Sequence, residues 1–348
     1  MRRHSITVVA GLIAFAAPSI ATAQTDGTLD AMFAGAGAAR VAFNRPGTNF
    51  RDYARALAIQ PDGKIVVVGS AEEAGAGSNA AIVRLSANGA IDSSLGGGPF
   101  TWGLADNDWA TDVLVEPSGS ILVSVVRQNG SAYEYSAYRW SATGAFESSV
   151  GLGPGTGVGP MMSLARDPIS GKVLVAWNLF DGQNAAIRVV RLEQNLSLDL
   201  SYGPGGSRDI EAAGGLPTYL ADMEVMPDGR LVLAARASVP AGGQDFLIAR
   251  LTSAGPPDVA FGSQGRSVIP IALVLNGSDD PVALALDALG RILVCGSAEE
   301  AQFSDAAAVL IRVDSNGAVD PGWNGGETLV VADTGGTDSM NGVAVQSD

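Results

Sequence analysis

The chain has 348 residues, 47% of them apolar, with 45 glycines and 6% aromatics; that is ample material for a core and argues against disorder. Asp and Glu number 36 against 21 Lys and Arg, a formal charge of −15, and a surface of that sign repels phosphate backbones, so nucleic acid is not an expected partner. One cysteine, Cys295, and one histidine, His4, exclude a disulfide framework, Cys/His metal centres and Ser-His-Asp or Cys-His catalysis.

Taken in order, residues 1–23 read as a secretory signal. Met1-Arg2-Arg3-His4 is a positive start, Ile6 to Ile20 is apolar, and Ala21-Thr22-Ala23 is a small-x-small cleavage site before Gln24. The apolar run falls short of the roughly 20 residues a spanning helix needs, and no other stretch could span. Its removal takes away the only histidine and leaves 24–348 as one exported domain.

Three marks recur from there on. The first is a tight turn, Pro61-Asp62-Gly63-Lys64, feeding the apolar run Ile65-Val66-Val67-Val68-Gly69. Related turns carry Gly119, Gly171, Gly229 and Gly290, a period of roughly 57 residues. The second is Asp-x-x-apolar, at Asp30, Asp92, Glu147, Asp199, Asp258 and Asp320. The third is an arginine eight residues before five of these acids: Arg84, Arg139, Arg191, Arg250 and Arg312. The midpoints of those segments are Asn88, Thr143, Asn195, Ala254 and Asn316, four of them followed by Gly, which is hairpin chemistry. Each Arg is then expected to face its acid across a hairpin and hold it, a structural role.

Each repeat reads as four strands. Strand a follows the acid (Arg40–Phe43, Ser267–Ile269, Thr328–Val331). Strand b alternates into the turn (Leu57 and Ile59, Met223 and Val225). Strand c is the apolar run after it, and strand d ends at the arginine. Strand c is apolar on both faces and has to be covered on both. Stacked four-stranded antiparallel sheets do that, which predicts an all-β β-propeller; an array of β-sandwiches is the alternative, but these units are short for it. The units are approximately 30–85, 92–140, 147–192, 199–251 and 258–313, with a partial unit 320–348. Val343-Ala344-Val345 aligns with strand b, and the turn that should follow is cut off after Asp348, so truncation at the C-terminus is expected.

Pro-Asp-Gly-Lys-Ile-Val-Val-x-Gly, a strand ending Arg-Leu, then Asn-Gly-x-x-Asp, resembles the delta-60 repeat. The second and third units have drifted, with Ser118 in place of the turn Asp and an extra residue at Pro168. The resemblance implies a secreted or envelope-associated bacterial propeller and no shared catalytic activity.

Without histidine, the remaining chemistry is that of carboxylates: glycoside hydrolysis by two acids, or a hard cation such as Ca²⁺. Asp106, Asp108, Asp279 and Asp280, with Glu72-Glu73 and Glu299-Glu300, are the clusters, and none has calcium-loop spacing. Solvated loop charge is the plainer reading, so no cofactor is expected apart from this weak Ca²⁺ candidacy. Cys295, inside an apolar strand, reads as a buried inert thiol. The variable a–b and c–d connections are where binding is expected, through Trp102, Trp109, Tyr133, Tyr135 and Phe180. The sequence thus predicts a monomeric, non-catalytic scaffold that is secreted, periplasmic or envelope-associated and binds a protein or glycan. A carboxylate enzyme acting on glycans, or a spacer in a larger surface protein, are the alternatives.

Overall fold

A glycine at the third place of four turns, and at the fourth place of the turn that begins at Pro168, allows the chain to reverse. In the computed structural model Gly63, Gly119, Gly171, Gly229 and Gly290 have φ of +79°, +85°, +70°, +81° and +73°, a region open to glycine at little cost. At the first turn Gln60 N donates to Lys64 O at 2.7 Å, and Lys64 N donates to Asp62 Oδ1 at 3.2 Å. The strands on either side are thereby set in register.

The structure describes residues 6–8, 28–43, 51–73, 77–103, 107–156, 161–180, 185–212, 214–240, 242–271, 273–274, 277–301, 305–332 and 336–346. Among them are strands, turns and short 3-10 segments but no α-helix, and no helix is long and apolar enough to cross a membrane. The chain falls into two compact units, Met1–Pro154 and Gly155–Asp348.

In the first unit β1 (Ile6–Val8) pairs antiparallel with β2 (Ala39–Val41). Two four-stranded sheets follow: β3 (Asp52–Ile59), β4 (Ile65–Glu73), β5 (Gly77–Leu85) and β6 (Phe100–Trp102), then β7 (Asn107–Val115), β8 (Ile121–Asn129), β9 (Ala132–Trp140) and β10 (Phe146–Thr156). The second unit has three more. They are β11 (Met162–Arg166) to β14 (Ser207–Ile210) through β12 (Val173–Phe180) and β13 (Ala185–Leu192); β15 (Thr218–Val225) to β18 (Arg266–Ile269) through β16 (Leu231–Ser238) and β17 (Gln244–Leu251); and β19 (Asp279–Leu286) to β22 (Leu329–Ala332) through β20 (Ile292–Ala301) and β21 (Asp305–Val313). Each sheet runs in sequence order, b–c–d–a, and the five are blades of the propeller kind.

Strand c explains its own composition. Along β16, Leu231, Leu233 and Ala235 enter one core with Leu174, Ile187 and Val189, while Val232 and Ala234 enter another with Ile292, Val294 and Val309. In the first unit Val66 and Val68 pack on Ile121 and Val123, while Ile65 and Val67 meet Phe33 and Val41. A strand buried on both faces has to be apolar throughout.

Strand a does not join the b–c–d hairpins that follow it in its repeat. It pairs with strand d of the preceding repeat, as in β17 with β18 (Ile248 opposite Ser267). The short d-to-a hairpin forces this, because its two arms have no other partner within reach. Sequence repeats and sheets are therefore out of phase by one strand.

Three further expectations meet a different outcome. Val343–Val345 forms no strand, and the nearby Met340 N donates to Gly296 O at 3.2 Å. Glu147 does not face Arg139 as its hairpin acid: it lies exposed in β10, which continues straight out of the hairpin. The signal segment lies outside the described residues except for Ile6–Val8.

The inner strands carry an irregularity that the pattern conceals. Register shifts fall at Ala54/Ala56, Ala110/Asp112, Leu220/Asp222 and Pro281/Ala283. Gly69 and Gly296 lie opposite two of these bulges, where an added Cβ would run into the carbonyls of Tyr53 and Asp280. The glycine that closes the strand-c run in the first and fifth sheets is there for close backbone approach.

Candidate functional site

The two ends of each sheet differ in chemistry. At the end holding the b–c turns and d–a hairpins, one ion-pair device recurs. Arg84 Nε donates to Asp92 Oδ2 at 2.8 Å, Nη2 to Ser94 Oγ at 2.8 Å, and Nη1 to the carbonyl of Ala142, in the next sheet's hairpin, at 2.7 Å. Arg191 repeats it with Asp199 (2.7 Å) and Ser253 O (2.6 Å), Arg250 with Asp258 (2.8 Å) and Ser315 O (2.8 Å), and Arg312 with Asp320 (2.7 Å). The guanidinium also lies over the ring three residues beyond the acid: Arg191 on Tyr202 at 4.8 Å, Arg250 on Phe261 at 4.5 Å and Arg312 on Trp323 at 4.8 Å.

A second cation from the b–c turn converges on the same acid, through Lys64 on Asp92 (3.2 Å), Lys172 on Asp199 (2.8 Å), Arg230 on Asp258 (3.2 Å) and Arg291 on Asp320 (3.6 Å). The signal for it was a basic residue directly after four of the turn glycines. The fifth turn has Ser120 instead, and there Arg139 pairs with Glu116 at 2.9 Å. Hydrogen bonds from Ser94, joined by Lys64 and Arg84, hold Asp92 well below the usual carboxylate range against the opposing pull of burial. Burial alone would raise Asp199, yet Lys172, Ser201 and Arg191 carry it far down. This end is a fastening, and its charges are consumed by it.

Among the described residues the opposite end, with the c–d and a–b connections, shares only small contacts: Asp52, Thr218 and Asp279 accept from Phe43 N, Ala212 N and Ile271 N, and Glu72 and Glu299 from Arg51 N and Ser278 N. In the first unit the half-buried rings of Trp109 and Tyr133 lie 6.5 Å apart at 31°. Asp108, 1% exposed, accepts from Arg127 Nε at 3.0 Å, and Arg127 reaches Glu134 at 3.5 Å. Tyr135 is on a strand and 2% exposed, and burial pushes its hydroxyl up to about 12; it is core, not a loop contact. Trp102 belongs to a ring cluster, 5.2 Å from Trp140 and 5.9 Å from Phe100, packed beside the core shared by the two sheets. Phe180 ends β12, its backbone opposite Ala185; its side chain, like all of Asp106, lies outside the described residues.

In the second unit carboxylates gather. Asp279 is pushed up to about 6 by burial, with Asp245, Asp280 and Glu299 adding repulsion against the hydrogen bond it accepts from Ile271 N at 3.0 Å. Asp280 is tied to Arg236 at 2.6 Å, and that guanidinium lies 4.9 Å from the Tyr219 ring centroid. Glu299 accepts from Ser278 N at 2.8 Å. On the inner strands burial raises Asp222, which accepts from Leu284 N (3.0 Å), Met223 N (2.8 Å) and Ser163 Oγ (3.5 Å). Among the described residues no group of three or more His, Cys, Asp or Glu has the geometry to hold a metal ion. Cys295 is buried, and burial pushes its thiol up, away from reactivity.

Glu224 gives a test. Burial, with the Asp222 charge adding, pushes it up to about 7 against the hydrogen bond from Leu286 N (3.0 Å). A carboxyl raised by folding favours the fold most below its unfolded value of 4.5. That advantage is lost as pH rises toward 7. Glu224→Gln keeps the amide oxygen for Leu286 and is expected to gain about 2 kcal/mol over the parent at pH 8 and little at pH 4. Urea titrations at both values check it; an equal effect at the two would overturn it.

Residues 60–95 and 227–261 match the family model described as a domain of unknown function (DUF5122) beta-propeller. Both matches run from a b–c turn to the apolar residue after the hairpin acid, Leu95 and Phe261. No curated protein sequence matches the chain. Solved structures of similar fold include a calcium-binding protein, regucalcin, from Agrobacterium tumefaciens (14% identity, 70% of this chain and 68% of that one, TM-score 0.39). Others are a polysaccharide lyase, ulvan lyase (8% identity, 80% and 68%, TM-score 0.49), and Bacillus subtilis levansucrase (9% identity, 83% and 89%, TM-score 0.46). At such identities and scores the functions of these proteins do not transfer. The chain is a β-propeller repeat protein.

Proposed function

We propose that this protein is an exported, non-catalytic binding scaffold that engages a protein or glycan through the c–d end of its sheets. The observation that carries this reading is the contrast between the ends. One spends its arginines and acids on a repeated fastening, while the other, apart from the acceptors Asp52, Thr218 and Asp279 and the pair Glu72 and Glu299, differs from sheet to sheet in its rings and charges. A scaffold can be periodic, but a recognition surface has to single out its ligand and cannot be. Trp109 and Tyr133 supply ring faces in the first unit, and Asp279, Asp280 and Glu299 supply hydrogen-bond acceptors in the second. Export accords with the leader-like 1–23 and the acidity, and is checked by N-terminal sequencing of protein recovered from outside the cytoplasm, expected to start at Gln24.

The functional test is a glycan array read alongside Trp109→Ala, Tyr133→Ala and Asp279→Asn. Retained binding by the parent and loss in at least one ring variant is the expected outcome. Binding indifferent to all three variants would remove this end from consideration. Chain cleavage of the bound glycan would turn the reading to a carboxylate enzyme.

A further inference from the structure

The third sheet departs from the repeat at one place. Arg166 stands two residues before Pro168, where the other sheets carry Ile59, Val115, Val225 and Leu286. The turn that follows has one extra residue, and the hairpin beside it has Leu196 where the others have glycine. An open cleft of about 380 Å³ lies there, lined by Ser170, Lys172, Glu193, Gln194, Asn195 and Ser197. All six side chains are polar, and the volume falls at the small end of ligand pockets, which span about 300–1,000 Å³.

Arg166 is the exception to the fastening end's use of its charges. Among the described residues it has no ion pair, and its Nη1 is buried without an acceptor. Its Nη2 comes within 3.2 Å of where a Cβ on Gly171 would stand, between the cleft-lining Ser170 and Lys172. The Gln194 amide nitrogen is 4.0 Å from the same point. A buried charged donor without a partner is costly, and in native proteins it marks the place of a water or a bound ion. Asp167 does not answer it. That carboxylate accepts from Ile169 N at 2.9 Å and from Ser170 Oγ, and its Oδ1 faces Gly229 of the next sheet's turn. Asn195 Oδ1 is held by Ser197 N at 3.0 Å and Ser197 Oγ at 2.7 Å. The Asn195 amide nitrogen is left as a donor, and the Ser170 and Ser197 hydroxyl oxygens as acceptors.

We propose that this cleft binds a sugar acid, a small polyhydroxylated carboxylate. Its carboxylate pairs with the Arg166 guanidinium, and its hydroxyls bond to Ser170, Asn195 and Ser197. The other charges of the cleft balance without Arg166. Lys172 lies 2.7 Å from Glu193 and 2.8 Å from Asp199, and Arg191 is 2.7 Å from the same Asp199. One positive charge is therefore left over. A neutral sugar would leave it unanswered, and a multiply charged anion would meet Glu193 at the cleft wall. The site belongs to the turn end of the third sheet and does not depend on the reading of the c–d end.

The probes are D-glucuronate, D-glucose and inorganic phosphate, each titrated against the full-length chain by ligand-observed NMR. Glucuronate is expected to bind saturably, about tenfold more tightly than glucose, which lacks the carboxylate, and more tightly than phosphate, which lacks the ring hydroxyls. Arg166→Leu, which installs the residue type of the other sheets, should erase the preference over glucose. It should also raise the melting temperature by about 2–4 °C, because an unpaired buried charge is removed. Arg166→Gln, closer in shape, is the second variant and should lose the preference as well. Absence of saturable glucuronate binding, equal affinity for glucose, or a preference that survives both variants would each overturn the proposal. So would phosphate binding as tightly as glucuronate, which would make the cleft a plain anion site. A fall in melting temperature in both variants would overturn it too, since Arg166 would then be a structural cation.

Discussion

Arg250→Ala is expected to lower stability by about 3–5 kcal/mol, read as a fall in the urea midpoint at unchanged slope. The side chain is 2% exposed and holds three things at once: Asp258 at 2.8 Å, the Ser315 carbonyl of the next hairpin at 2.8 Å, and the face of Phe261 at 4.5 Å. Truncation strands a part-buried carbonyl and opens a gap above the ring. Asp258 retains Arg230 at 3.2 Å and the Ala260 amide at 3.2 Å, so the loss comes mainly from the carbonyl and the packing. Lysine would restore charge but not the fork that meets Asp258 and Ser315 together, and Arg250→Lys should recover less than half. Arg191→Ala should cost less than Arg250→Ala, because Arg191 is 12% exposed and Lys172 sits 2.8 Å from the same Asp199. If the two alanine variants lose equally, the difference in burial is not what matters.

Much of this device was legible in the sequence, because a fixed spacing of Arg and acid within a variable repeat can only come from a rigid segment. The partner carbonyl was not. It belongs to the next sheet, and nothing in a spacing reports what another repeat's backbone accepts. The second repeat shows the limit of pattern. Glu147 stands in the acid's place, but without a cation after Gly119 and with β10 running straight on, Arg139 pairs with Glu116. Strand c and the b–c turn were legible for a simpler reason, since burial on both faces and positive φ each leave a residue-type signature. Tyr135 was misread as a loop contact because aromatic residues near a connection look alike whether they point to solvent or to core.

One hairpin appeared to lack its glycine and is complete nonetheless. Leu196 takes φ +66° where the other four have Gly, and it is 2% exposed. The left-handed conformation costs about 1–2 kcal/mol for a residue with a Cβ. Burial of a leucine returns about 1.5–3 kcal/mol, which is enough to hold it. A local rule read from four copies therefore fails at the fifth, where packing outweighs backbone preference.

The ring under the arginine is the other place where a large effect is expected. Phe261 is fully buried in the core that Ile248, Val294 and Val309 share, and it lies against Gly317 of the following hairpin. Phe261→Ala removes that burial and uncovers the Arg250 guanidinium, an expected loss of about 4 kcal/mol. Phe261→Leu should cost only about 1 kcal/mol. The reason lies in the chain itself, which places Phe33, Leu95, Tyr202, Phe261 and Trp323 at this one position. Leu95 is fully buried beneath a sheet hairpin whose Arg84, Asp92 and Ala142 contacts are intact. The socket thus accepts an aliphatic group, with the aromatic face adding strength where it occurs. Thermal melts of the two variants decide the matter. Should leucine prove as damaging as alanine, the cation–ring contact, and not the filling of the socket, would be what holds one sheet's loop to the next.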